Sequence, residues 1–167
     1  ELKYLFVVFL LFMQTAWRGV DAQYDKDVFF MRGRHALSEG KYARAIENFN
    51  VLSQLDTSDY WTFFFRGIAK YNLGDLRGAK RDFDRSVRIN PVFTNGYHYR
   101  GITQSRFGNY DAALADLEEA IKLRPGYDGL YFSRGVTYFL SQQFDKAVAD
   151  FDRYIRKEPK DPSAYLN

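Results

Sequence analysis

Cysteine is absent from all 167 residues. A disulfide framework and a thiolate metal site are therefore excluded, and thiols say nothing about redox compartment. Histidine is nearly absent too, with only His35 and His98. Metal sites need clustered ligands. His35 has Glu39 four residues on but no evident third ligand, so both histidines read as surface or groove residues rather than ligands. No Ser-His-Asp set can be assembled from spacing, because geometry identifies such a triad. The chain is read as non-catalytic, with no cofactor. An excess of one charge sign is missing as well: the formal net charge is +3, with both signs mixed throughout. No Lys/Arg stripe stands out, so a pI near 9.0 gives nucleic acid little support as a partner. Glycines seven apart, such as Gly67 and Gly74, lack the preceding strand that a phosphate-binding loop needs.

What is present is a period. Arg-Gly pairs stand at Arg32-Gly33, Arg66-Gly67, Arg100-Gly101 and Arg134-Gly135, each 34 residues after the last. Ala45, Ala79, Ala113 and Ala147 keep that step, as do Phe49, Phe83, Leu117 and Phe151. Pro91, Pro125 and Pro159 keep it too, with Thr57 in the first place. A fixed period of this length marks stacked repeats. Apolar residues at helical spacing, such as Phe64, Ile68 and Tyr71, or Ala79, Phe83 and Val87, predict a helix pair in each copy. Gly74-Asp75 is a turn signal between the helices, and Pro91 a stop after the second. First helices are predicted near 26–39, 60–73, 94–107 and 128–141. Second helices are predicted near 42–55, 76–89, 110–123 and 144–157. Gly67 and Ala79 would let paired helices approach closely, with Phe63 and Phe83 filling the space beside them.

The third copy runs Tyr97, Gly101, Gly108, Tyr110, Ala113, Leu117, Ala120, Pro125, and the second Phe63, Gly67, Gly74, Ala79, Phe83, Pro91. This pattern resembles the tetratricopeptide repeat, over roughly residues 26 to 161. The resemblance implies an all-α fold, an α-solenoid of four stacked helix-turn-helix repeats (about 26–59, 60–93, 94–127 and 128–161). Three departures stand out. The arginine column replaces the family's frequent aliphatic residue, Gln142 replaces the glycine of Gly40, Gly74 and Gly108, and the first copy lacks the closing proline. Residues 162–167 read as the start of a fifth repeat, with Asp161 as a cap and Pro162 at the first helical position. Without a further helix, the last second helix would expose part of Phe144, Phe151, Tyr154 and Ile155. End-to-end stacking on further copies is the associated expectation.

Residues 4–13 form an unbroken apolar run of ten, behind Lys3 and ahead of Val20-Asp21-Ala22. A basic flank, a short apolar stretch and a small-x-small site form the pattern of a secretory signal peptide. A spanning helix needs about 20 apolar residues. Residues 1–22 are therefore read as a cleaved export signal, placing the protein in the periplasm or outside the cell. An uncleaved membrane anchor through residues 2–17 is the alternative.

Two constellations invite a chemical reading. Sixteen residues after each arginine of the Arg-Gly column stands Asn48, Asp82, Asp116 or Asp150, and two further on Asn50, Asp84, Glu118 or Asp152. Arg-carboxylate bridges, within a pair or to the neighbouring copy, explain both columns; the alternative is an anion-binding ladder. The second constellation follows from the resemblance, which implies a concave surface lined by first helices that receives a protein or peptide. Its groove candidates are Arg34, Trp61, Phe64, Phe65, Tyr71, His98, Tyr99, Arg106, Phe132 and Phe139. Positions matching the family's carboxylate clamp hold Phe30, Arg34, Phe65, Asn95 and Tyr99, which does not support that clamp. About half of the groove aromatics are expected to fill seams between helices, with Trp61, Phe65, Tyr99 and Phe139 the most accessible. The function expected is an exported scaffold for protein interaction. Its alternatives are a membrane-tethered spacer or oligomer subunit, and the non-catalytic part of a longer enzyme.

Overall fold

A computed structural model describes residues 26–157. The expected export signal and the start of a fifth repeat lie outside the described residues. Every described element is helical. Two compact units are present, the first reaching to Thr57 and the second beginning at Ser58. The first holds α1, which runs through 26–38, and α2 (Tyr42–Leu55). The second holds three further pairs: α3 (Tyr60–Asn72) with α4 (Leu76–Ile89), α5 (Thr94–Arg106) with α6 (Tyr110–Leu123), and α7 (Gly129–Leu140) with α8 (Phe144–Lys157). The fold is thus all-α and built of four helix-turn-helix units, with the helices where the period predicts them.

Each pair closes over its Arg-Gly glycine, and in three of the four a ring of the second helix covers it. A Cβ added at Gly67 would lie 2.6 Å from the Phe83 ring, one at Gly33 2.8 Å from Phe49, and one at Gly135 2.8 Å from Phe151. The ring of the second helix therefore rests on the bare backbone of the first. Ala45, Ala79, Ala113 and Ala147 are buried with those rings. Burying one such ring stabilises by about 1.5–3 kcal/mol, and an added side chain at Gly67 would overpack the contact at a cost of about 1–3 kcal/mol. Phe151 is 7% exposed for this reason, against the expectation that it lies open. Phe144 and Val148 on α8 are the exposed ones.

The hairpin within each pair is equally regular. Gly40, Gly74 and Gly108 have φ between 72° and 85°, and Gln142 has φ 63°. Around each, two backbone bonds close the first helix. In the second copy Gly74 N–H donates to Tyr71 O at 3.0 Å and Asp75 N–H to Lys70 O at 2.9 Å; in the fourth Gln142 donates to Phe139 O and Gln143 to Tyr138 O. This is the Schellman closure, which needs one residue in the left-handed region. Asp75 then caps α4, accepting from Gly78 N–H at 2.8 Å, as Asp59 caps α3 through the N–H groups of Trp61 and Thr62.

Within the second unit the pairs lean inward on their first helices. α3 touches α5 and α5 touches α7, while no comparable approach brings α4 to α6 or α6 to α8. First helices therefore crowd on the inner side of the stack and second helices fan out on the outer side.

Among the described residues Gln142 is the one non-glycine residue in the left-handed region, where a side chain is strained. Gln142→Gly should raise stability in urea denaturation by about 0.5–1 kcal/mol, the relief of strain less the added freedom of the unfolded chain. A loss of stability would show that the side chain makes a contact worth more than its strain.

Candidate functional site

The arginine column resolves into a structural ladder. Arg66 grips Asp82 with Nε and Nη2, at 2.9 and 2.7 Å, and Lys70 reaches the same carboxylate at 2.7 Å. Arg134 grips Asp150 in the same way. Arg100 holds Asp116 with Nε at 2.8 Å and with Nη2, and its Nη1 crosses to Asp84 of the preceding copy at 3.2 Å. Each guanidinium also lies over an aromatic ring three residues before it: Arg66 over Phe63, Arg100 over Tyr97 and Arg134 over Tyr131, at 5.3–5.4 Å. Fork, carboxylate and ring fix each arginine in place. For Arg100, burial opposes the charged form, but the hydrogen bonds and attraction of Asp116 and Asp84 outweigh it and raise its pKa. The hydrogen bond to Asp150 does most to raise that of Arg134. Arginines already saturated in this way are not available as an anion ladder. The first copy has Asn48 in the carboxylate place, and its amide donates to Arg44 O.

The groove candidates separate by depth. Phe64 is 4% exposed and packs on Phe83, Phe93 and Tyr99. It forms the floor of a cluster and presents little surface. Phe65 and Tyr99 are half-buried on that cluster. Trp61 is 36% exposed. Its indole stacks on Phe65 at 5.5 Å and 18° and meets the Phe93 ring edge-on at 4.8 Å. Tyr71 is half-buried, with the exposed Arg106 guanidinium 5.2 Å from its ring centroid. Phe132 fills the seam between α7 and α8 against Phe151 and Tyr154. Phe139 is 43% exposed but stands at the hairpin end of α7, against Phe144. It occupies the place of Tyr71 two copies on, about 15 Å along the helix axis from the level of Trp61. Structure thus gathers Trp61, Phe64, Phe65 and Tyr99, and leaves Phe132 and Phe139 apart. Arg34 is exposed on α1 in the first unit, 6.0 Å from the Phe30 ring centroid.

His98 belongs to the core. It falls in a column of phenylalanines (Phe30, Phe64 and Phe132) and is 8% exposed. Ser133 donates its hydroxyl hydrogen to Gly129 O. The same hydroxyl is hydrogen-bonded to His98 Nε2 at 2.8 Å. Desolvation pulls the His98 pKa down to about 4. His35 lies exposed, 3.6 Å from Glu39. Among the described residues no group of three or more His, Cys, Asp or Glu side chains could hold a metal, and no helix is long and apolar enough to cross a membrane.

The tetratricopeptide repeat family matches residues 100–162. No curated protein matches the chain. A crystal structure of MamA is 25% identical, over 81% of this chain and 79% of that one, with a TM-score of 0.74. YrrB, described as "a TPR protein with an unusual peptide-binding site", is 20% identical over 84% and 73%, with a TM-score of 0.75. The second TPR domain of human RPAP3, in complex with the HSP70 peptide SGPTIEEVD, is 21% identical over 70% and 97%, with a TM-score of 0.67. The fold is therefore a tetratricopeptide solenoid, with the family model itself covering residues 100–162. Such domains are generally scaffolds for proteins or peptides, and typically non-catalytic.

The His98 environment sets a pH dependence. Its folded pKa near 4 lies below the ordinary value near 6.5, so between the two the unfolded chain binds a proton that the folded chain does not. Stability is full above the unfolded value and falls as pH drops toward the folded one. From pH 7 to pH 4.5 the loss from this group is about 2–3 kcal/mol. His98→Phe should remove that component in urea denaturation at the two pH values; parallel losses in both proteins would contradict it.

Proposed function

We propose that the chain captures an apolar segment of a protein or peptide on the inner face of its second unit, with Trp61 as the anchor. One observation carries this reading. An indole sits half-open on a rigid bed of rings, at a position where the other copies hold Asp27, Asn95 and Gly129. The fold does not need it there, since three copies do without. Large aromatic side chains that are partly open and already ordered are the usual anchors of interfaces. The Tyr71–Arg106 stack, two to three turns along the same helices, adds a cationic contact next to an apolar one. An extended segment or an amphipathic helix fits such a face. Replacing both Trp61 and Phe65 by Ala should abolish partner capture in a pull-down with the full chain, while helix content by circular dichroism stays unchanged. Undiminished capture would place the interface elsewhere.

The scaffold is proposed to work after export, on the strength of the pattern in residues 3–22 alone. N-terminal sequencing of the protein from its native cells should then begin at Gln23. Retention of Leu2–Trp17 would favour the tethered alternative.

A further inference from the structure

The outer face of α4 carries a charge pattern that the linear sequence hid. Arg77, Arg81, Arg85 and Arg88 recur at helical spacing. At 100° per residue they fall within an arc of about 80° and run about 16 Å along the helix. The buried residues of this helix, Gly78, Ala79, Asp82, Phe83, Ser86 and Val87, occupy the opposite side. Arg77, Arg81 and Arg88 are exposed. Arg85 is half-buried, its guanidinium 5.6 Å from the Phe63 ring centroid. The absence of a Lys/Arg stripe, read from the sequence as a line, is corrected by this face.

The repeat supplies its own control. Matching positions hold Ala43, Glu47, Val51 and Gln54 on α2, Asp111, Ala115, Glu119 and Lys122 on α6, and Asp145, Ala149, Arg153 and Arg156 on α8. The same helix is therefore built three times without the stripe. Like charges three or four residues apart weaken a helix, so gathering them on one face does not help α4 to form. Arg rather than Lys at all four places suits bidentate recognition of carboxylates or phosphates.

We propose that this face docks an acidic protein segment, carrying carboxylates at intervals of about 6 Å, the spacing of every fourth residue on a helix. Width decides between this partner and a broad polyanion. The stripe is one helix wide. Asp84 borders it on α4, where Lys80 and Arg100 already neutralise it. The next outer helix presents Asp111, Glu118 and Glu119. A membrane or a duplex would meet those acids, whereas a single acidic segment would not. The inference is independent of the Trp61 face, which lies on the inner helices.

The test uses the full chain and a labelled alanine-rich peptide with glutamate at every fourth position, read by fluorescence anisotropy at low salt. Replacing Arg77, Arg81 and Arg88 together by Gln should weaken binding about tenfold, with helix content unchanged. A charge-matched control, Lys122→Gln with Arg156→Gln and Lys157→Gln, should change it less than about twofold. The proposal is overturned by equal weakening in both triple variants, by no binding to the unaltered chain, or by stripe-dependent binding of oligo-dT or phosphatidylserine vesicles tighter than that of the peptide.

Discussion

Everything in this fold depends on a ring laid on a bare backbone. Where Gly33, Gly67 and Gly135 face Phe49, Phe83 and Phe151, the helices of a pair come close enough that even a methyl group would collide. A lone amphipathic helix of 13 or 14 residues is marginal in water. Here the ring of one helix is buried by the glycine of the other, and neither buries its apolar face without its partner. Leu117 at Gly101 shows what the contact tolerates: the added Cβ would lie 3.0 Å from its Cγ and 3.1 Å from Ala113 O. A branched aliphatic can replace the flat ring, but the glycine cannot be given up.

Charge is then spent on holding the stack together. Asp82, Asp116 and Asp150 are buried, and a buried carboxylate is tolerated only when paired and hydrogen-bonded. The arginine fork supplies both, and the aromatic ring beneath it removes the arginine's freedom to turn elsewhere. Arg100 goes further by bridging Asp116 of its own copy and Asp84 of the one before. Gln104 adds a third donor to Asp116. The family's frequent aliphatic residue is thus exchanged for a polar rivet, which fixes register as well as proximity.

The fold was legible because its cause is periodic. Helix limits and the glycine contact recur at 34 residues in all four copies and the arginine bridges in three, and such columns can be read without coordinates. Depth was not legible. Phe64 and Trp61 are both aromatic, three residues apart and on the same face of α3, yet one is floor and the other surface, because only the neighbouring helices decide which is covered. His98 looked like a groove residue because a histidine in isolation suggests chemistry. The signal that it was core lay in its column, where the other three copies hold phenylalanine. The arginine stripe on α4 was missed for the opposite reason: it breaks the 34-residue period and exists only in the 3.6-residue one.

That contrast separates fold from recognition inside a single chain. A residue that recurs in every copy is explained by the contact every copy must make. A residue that stands in one copy alone has no such explanation and must be justified locally. Gln142 is justified by nothing in its turn, which is why it reads as strain. His98 is justified by Ser133, whose hydroxyl gives the imidazole a partner in a core place. Trp61 and the exposed arginines Arg77 and Arg81 of α4 stand in one copy alone, at places where the other copies do without them. They lie on opposite sides of the same helix pair, one on α3 and the other on α4, so the second copy carries both surfaces proposed for partners. A scaffold that presents an apolar anchor inward and a cationic strip outward from one repeat can hold two segments without either occluding the other, because the ring-on-glycine contact between them keeps the two faces a fixed helix-pair's thickness apart.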